Sequence, residues 1–221
     1  MLKKLLELGK SAKAFAGSTL GGLIELDGDI AYLTNSKRSS VYKLKFPSHI
    51  GSGVFYSGEI PSEANKVELR DEKVLVELKK GGVIQRLFVP CKRPISETVN
   101  KILDKYRTTC DIRVEQEWLG NIRPDFLFLS MSVKNNKLIT NQKRSDGTVE
   151  FENEFPLNKG LVEKEYPNTG GIAIFSSDLF LLKPFVNEIF ISLNENTPLY
   201  LSTKTIFGSD LEGVISNLRY E

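Results

Sequence analysis

One plan occurs twice along the chain and limits its folds more than any other feature: a short lysine-bearing amphipathic helix followed by a run of strands. Leu2, Leu5, Leu6, Ala12, Phe15 and Ala16 recur at helical spacing and gather on one broad face, with Lys3, Glu7 and Lys10 opposite and Lys4 and Lys13 at its margins. Gly17 stands where such a helix stops. The second helix is expected over Ser96 to Thr108, with Ser96 as N-cap. Val99, Ile102, Leu103 and Tyr106 form its apolar stripe, and Lys101 and Lys105 point away from it with Asp104 near them. An amphipathic helix must bury its apolar stripe against something. Two helices among many strands therefore predict an α+β fold with helices packed on one face of antiparallel sheets.

Strands are expected at Leu23–Leu26, Ile30–Thr34 and Ser40–Phe46, with Asp27-Gly28 as a hairpin signal. Pro47 to Glu63 has room for one short helix or a crossing strand. Lys66–Arg70, Val74–Lys79 and Val83–Val89 follow as strands, and Val74, Val76 and Leu78 show the period of two that marks a half-buried strand. Asp71-Glu72 and Gly81-Gly82 are the turns between them. Pro90 to Pro94 reads as a linker, two prolines flanking two cations. It divides the chain into an N-terminal domain over 1–89, a linker over 90–95 and a C-terminal domain over 96–221. In the second half, strands are expected at Asp111–Trp118, Phe126–Lys134, Lys137–Asn141 and Thr148–Phe155, turning at Asn135-Asn136 and Asp146-Gly147. Leu157 to Gly170 reads as a surface loop. Ile172–Phe175 is a strand, and Ser176 or Ser177 can cap a brief helix through Leu182 that Pro184 limits. Glu188–Leu193, Pro198–Thr203 and Gly213–Leu218 close the chain as strands.

A length of 221 residues with 40% apolar content suffices for two cores, and a net charge of +2 marks no strongly basic protein. A local basic face is compatible with that balance, because steering depends on local potential. Cys91 and Cys110 have neither zinc-ligand spacing nor a disulfide framework around them, and are expected to be reduced structural thiols of a cytoplasmic protein. No apolar run is long enough for a membrane span, and the apolar residues of Met1–Ala16 are too interrupted for a signal peptide.

Nothing in the sequence assembles into a catalytic constellation. The only histidine, His49, lies in a loop-like Pro-Ser-His-Ile-Gly stretch, without the partner that proton transfer needs. The glycine-rich run 17–22 follows a helix, where a phosphate-cradling loop would follow a strand. Glu115 and Glu117 read as exposed charges on a strand beside Trp118. No enzymatic activity, cofactor or metal is expected. The lysines of the two helices leave two readings: they solvate surface helices, or they line one face toward nucleic-acid phosphates. Lysine suits the second task as a mobile point charge that holds phosphate without reading a base.

The last third of the chain resembles the DNA sliding clamps, the family of the archaeal and eukaryotic replication clamp and the T4-type phage clamp. The residues that carry this are the strand–helix run Ile172-Ala173-Ile174-Phe175-Ser176-Ser177-Asp178-Leu179-Phe180-Leu181-Leu182-Lys183-Pro184, then Glu188–Leu193, then Thr197-Pro198-Leu199-Tyr200-Leu201. The N-terminal helix and the strands to Phe46 are similar to the family by pattern. The resemblance implies a two-domain clamp that forms a homotrimeric ring, pairs its terminal strands with the next subunit and encircles duplex DNA without sequence preference. It further implies a DNA polymerase tethered as partner, a clamp-loader ATPase that opens the ring, and a place at the replication fork, in the host cytoplasm for a viral source. Lys3, Lys4, Lys10, Lys13, Lys101, Lys105, Arg107 and Lys183, the last on a third helix, would face DNA. Val89, Pro90, Pro198, Leu199, Val214, Ile215 and Leu218 would receive an apolar-aromatic partner peptide. The chain departs from many clamps in being near neutral where they are acidic. The rival readings are an open monomeric DNA-binding processivity factor and a strand-rich viral structural or assembly protein.

Overall fold

The computed structural model describes residues 23–34, 40–49, 51–56, 64–70, 73–78, 80–87, 94–123, 126–146, 148–157, 166–180, 182–183, 185–206 and 208–218. The expected first helix with Lys3, Lys4, Lys10 and Lys13, the turn Asp71-Glu72, Cys91, and the linker positions Val89 and Pro90 lie outside the described residues. The chain forms two compact units, one of Met1–Lys105 with Phe207–Gly213 and one of Tyr106–Ile206 with Val214–Glu221.

The first unit holds β1 (Leu23–Gly28), β2 (Ile30–Thr34), β3 (Ser40–Lys45), β4 (Gly51–Tyr56), β5 (Ala64–Arg70), β6 (Lys73–Leu78), β7 (Val83–Leu87) and all but the last residue of helix α1 (Ile95–Tyr106). Pro47–Glu63, open in sequence between a helix and a strand, yields β4, which pairs antiparallel with β1. The first hairpin forms one residue later than its Asp-Gly signal: Asp27 pairs with Ile30 and the loop is Gly28-Asp29. Gly28 has φ +66° and Asp29 is not left-handed. That is the arrangement of a loop whose first central residue must be glycine.

Helix α1 sits on a polar row. Glu25 of β1 is paired with Tyr32 of β2, which is paired with Lys43 of β3, so the three side chains share one face. The Glu25 carboxylate accepts from the Ser96 amide at 2.8 Å and from its hydroxyl at 2.9 Å. Asn100, one turn on, donates to the Tyr32 hydroxyl at 3.4 Å and accepts from the Lys43 ammonium at 3.1 Å. Val99 and Leu103 complete the buried stripe, while Ile102 and Tyr106 are half-buried. Ser96 is thus not the N-cap. The helix starts at Ile95, and the orphan donor of Ser96 is satisfied by a carboxylate from a distant strand at the positive end of the helix dipole. On the opposite face of the same strands Ile24, Leu26, Ala31, Leu33, Tyr42 and Leu44 are buried.

The second unit holds β8 (Ile112–Glu115), α2 (Gln116–Gly120), β9 (Phe128–Lys134), β10 (Lys137–Lys143), β11 (Val149–Pro156), β12 (Thr169–Phe175), α3 (Ser176–Phe180), β13 (Glu188–Ser192) and β14 (Leu199–Lys204). The strand expected over Asp111–Trp118 stops at Glu115, and Glu117 lies on α2. Alternation would send Trp118 and Leu119 to opposite faces, whereas a helical turn buries both. Ser176 does not cap α3. Its hydroxyl is buried with no hydrogen-bond partner, and the helix ends at Phe180. The final strand β15 (Asp210–Ile215) starts earlier than expected, and its residues are divided between the units.

The strand orders are β4-β1-β2-β3-β15 and β5-β6-β7 in the first unit, and β15-β14-β13-β8 and β11-β10-β9-β12 in the second. The free edges among the described strands are β4, β5 and β7 in the first unit and β8, β11 and β12 in the second.

Hairpin β9–β10 turns at Asn135-Asn136, both left-handed at φ 52° and 57°, the conformation a tight two-residue turn requires. Asn136 also receives the Leu157 amide on its main-chain oxygen at 3.0 Å and the Tyr166 amide on its side-chain oxygen at 2.8 Å. β12 begins at Thr169, so the surface loop expected through Gly170 ends earlier.

Replacing Glu25 by Ala leaves the Ser96 amide and hydroxyl without their charged acceptor. The expected loss is about 2 kcal/mol of unfolding free energy, read by urea denaturation. Unchanged stability would show that the row does not hold the helix.

Candidate functional site

The exposed face of α1 carries Glu97, Lys101, Asp104 and Lys105. Lys101 lies 2.6 Å from the Glu97 carboxylate, one helical turn away. The face expected to be a cationic stripe is therefore two lysines accompanied by two acids. The hydrogen bond from Lys101, and then its charge, hold the Glu97 carboxyl below the ordinary glutamate range. Arg107 follows the helix and is exposed. Lys183 does not lie on a helix. It stands in the turn after α3, its main-chain oxygen accepting from Gln116 at 3.3 Å and its ammonium 6.0 Å from the Phe180 ring centroid.

The second unit carries a cleft of about 950 Å³. Its floor is one face of the sheet β10-β9-β12. In the strand registers Asn141 pairs with Ser130 and Ser130 with Ala173, so these three form a row. Ser132, Lys143 and Gly171 extend the floor. The other face of the same strands is buried and mostly apolar, with Leu129, Met131, Val133, Leu138, Ile172 and Ile174 beside Thr140 and Gln142. One wall is the turn Glu195–Pro198, the other Ser216–Leu218, and Tyr106 also lines the cleft.

The walls are tied to the floor. The Leu218 amide donates to the Ala173 oxygen at 2.6 Å, and the Ala173 amide donates to the Asn217 side-chain oxygen at 3.1 Å. Asn217 in turn donates to the Glu195 main-chain oxygen at 2.8 Å. Gly170 permits the approach of Glu195, whose carboxyl group occupies the place a Cβ would take. The Asn141 side-chain oxygen is buried without a hydrogen-bond partner.

Of the expected partner-binding positions, Pro198 and Leu218 line this cleft. Leu199, Val214 and Ile215 are core residues and offer no surface. The floor residues Ser130, Ser132, Asn141, Lys143 and Gly171 were not anticipated. Their signal is the alternation within Phe128–Lys134, where Ser130 and Ser132 stand between Leu129, Met131 and Val133, and paired glycines at 170 and 171 inside a strand. His49 is exposed. Among the described residues no group of three or more His, Cys, Asp or Glu side chains gathers as a metal site. No helix among them is long and apolar enough to cross a membrane.

No protein-family model and no curated protein matches the sequence. Solved structures match its fold. A PCNA2–PCNA3 complex from Sulfolobus tokodaii superposes with a TM-score of 0.63 at 12% identity, over 97% of this chain and 95% of that one. Proliferating cellular nuclear antigen from Entamoeba histolytica gives 0.59 at 12% identity, over 99% and 95%. A DNA polymerase sliding clamp from Pseudomonas aeruginosa gives 0.59 at 12% identity, over 100% of this chain and 66% of that one. A putative DNA polymerase III beta subunit from Eubacterium rectale gives 0.59 at 13%, over 99% and 63%. The chain thus spans less than two thirds of the latter two. At these identities the likeness is one of fold: the two-unit α+β architecture is that of the sliding clamps, as the resemblance in sequence implied.

Lys101→Ala is expected to raise the Glu97 titration midpoint toward that of a free glutamate, read by NMR pH titration. A carboxyl held low adds stability above its unfolded-state midpoint, and that contribution vanishes as pH falls through the folded-state midpoint. The Lys101 variant should lose that acid-side dependence, and an unmoved Glu97 would show the pair to be inconsequential.

Proposed function

We propose that this chain is a DNA sliding clamp: a non-enzymatic ring that encircles duplex DNA and tethers a replicative polymerase. The observation that carries the reading is the fold match over nearly the whole chain to replication clamps, at almost the full length of the two-domain type. In this reading the two domains meet across residues 90–95 and three copies close the ring. A loader ATPase opens it, and the protein works at the replication fork, in the host cytoplasm for a viral source. Lys3, Lys4, Lys10, Lys13, Lys101, Lys105, Arg107 and Lys183 contact phosphates. Interspersed acids such as Glu97 and Asp104 keep those contacts weak, which favours sliding over trapping.

Ring closure needs two different free edges, since a head-to-tail contact closes into a cycle. Each unit supplies an edge with exposed apolar side chains. On β7 it is Val83, 64% exposed; on β11 they are Val149, 52%, and Phe151, 36%. A long edge with exposed apolar groups is a template for another strand. In the proposed ring β7 of one copy pairs with β11 of the next, and Pro198 and Leu218 form part of the surface that receives the polymerase.

Sedimentation is expected to give a mass near three times 24.8 kDa. Loaded protein should persist on circular DNA at a salt concentration that strips it from linear DNA. A monomer lost equally from both forms would replace this reading with an open DNA-binding factor, and no DNA association at all would favour a structural protein. Val83→Lys and Phe151→Lys should each weaken self-association at least about tenfold, or about 1.4 kcal/mol. Changing Lys3, Lys10, Lys101 and Lys105 together to Ala should reduce retention on circles while the variant stays folded by circular dichroism. Undiminished retention would remove the helices from the DNA-facing surface.

A further inference from the structure

We infer that the second unit binds an arginine side chain of a partner protein in a small pocket between α2 and the end of β11, with Trp118 and Phe155 as walls and Glu115 and Glu117 at the rim. The pocket holds about 120 Å³ and shares no lining residue with the cleft described above. Sites that enclose a whole drug-sized ligand run to about 300–1,000 Å³. This one has room for the head of a single side chain.

Its walls are apolar and held in place by the fold. Trp118 is buried, and its ring meets that of Phe155 edge to face, at 84° and 6.2 Å between centroids. Two rings at nearly a right angle form a corner. The Asn121 amide donates to the Trp118 main-chain oxygen at 2.9 Å, and the Asn121 side chain donates to the Glu117 main-chain oxygen at 3.1 Å, so the turn of α2 that carries both residues is tied off. On the other side, the Leu157 amide is held by the Asn136 oxygen at 3.0 Å. Leu157 and Pro156 offer an apolar margin along which a long side chain can lay its stem.

Such walls alone would accept any small apolar group; the charge at the mouth selects among them. Arg113 lines the pocket, but its guanidinium lies 2.6 Å from the carboxylate of Glu188, which is outside the lining. Glu115 and Glu117 are exposed, and among the described residues neither carboxylate has an ion-pair partner. In the strand register Glu115 also stands directly opposite Glu188, and like charges so placed repel. An external cation relieves that excess. Tryptophan is the most favourable aromatic partner for a cation, and arginine the more frequent cation. A flat guanidinium stacks on a ring and presents donors along its edge to carboxylates, whereas an ammonium is a compact, strongly hydrated charge. Phe155 and Pro156 lie at the opposite end of β11 from Val149 and Phe151, so the inference stands whether or not that edge closes a ring.

Trp118 is the single tryptophan, so its indole N–H gives the full chain one NMR signal that reports on the pocket. The probe is N-acetylarginine methylamide, titrated at low salt beside the uncharged citrulline analogue and the lysine analogue. The arginine probe should move the indole signal saturably, with a dissociation constant of roughly 1–10 mM. The citrulline probe should bind at least about fivefold more weakly and the lysine probe about twofold or more. Glu115→Gln combined with Glu117→Gln should weaken the arginine probe about fivefold, and added salt should act in the same direction. Both changes are at exposed positions, and circular dichroism checks that the variant is folded. No saturable movement of the indole signal, equal binding of the citrulline or lysine probe, or arginine binding untouched by the double glutamine variant would each overturn the inference.

Discussion

The contact on which the first unit turns is the Glu25 carboxylate with the start of α1. Three polar side chains in register across β1, β2 and β3 would be costly beneath a helix unless each found a partner. Ser96 and Asn100 are spaced one turn apart and provide them. Apolar packing through Val99 and Leu103 tolerates some rotation of a helix about its axis. Hydrogen bonds at 2.8 to 3.4 Å do not. The row thus fixes which residues of α1 meet solvent, and with them the mixed-charge face of Glu97, Lys101, Asp104 and Lys105. A surface property follows from a polar match beneath it.

The second unit reaches its cleft by a different route, the two-residue period of a strand. Leu129, Met131 and Val133 belong to the core, so Ser130 and Ser132 must belong to the other face. Pairing of β9 with β10 and β12 then sets Asn141 and Ala173 beside Ser130. Packing on one side and an accessible polar floor on the other are two consequences of one alternation. The walls come from residues 195–198 and 216–218, far along the chain, and the hydrogen bonds of Ala173 and Asn217 join them to the floor.

Much of this architecture can be read locally. Asn135-Asn136 predicts its hairpin because short polar side chains tolerate two successive left-handed residues, and the strands around it keep clear periodicity. The amphipathic stripe of α1 is legible for the same reason. What cannot be read is set by partners remote in sequence. Ser96 resembles an N-cap, but its acceptor Glu25 is 71 positions away. The apparent strand through Trp118 becomes a helix because two adjacent residues, Trp118 and Leu119, are both buried. The cleft was half visible: Pro198 and Leu218 carried the family pattern, whereas Asn141 and Gly171 acquire meaning only from strand registers.

The double attachment at Asn136 has a consequence for how this protein can vary. One asparagine gathers the amides of Leu157 and Tyr166, so the two ends of the intervening segment are held together at a fixed gate. Extra residues inserted beyond that gate lengthen a closed loop, whose entropy cost grows only logarithmically with length. The two hydrogen bonds at Asn136 do not depend on the length of that connection, which makes it an attachment point for a fluorophore or an appended module.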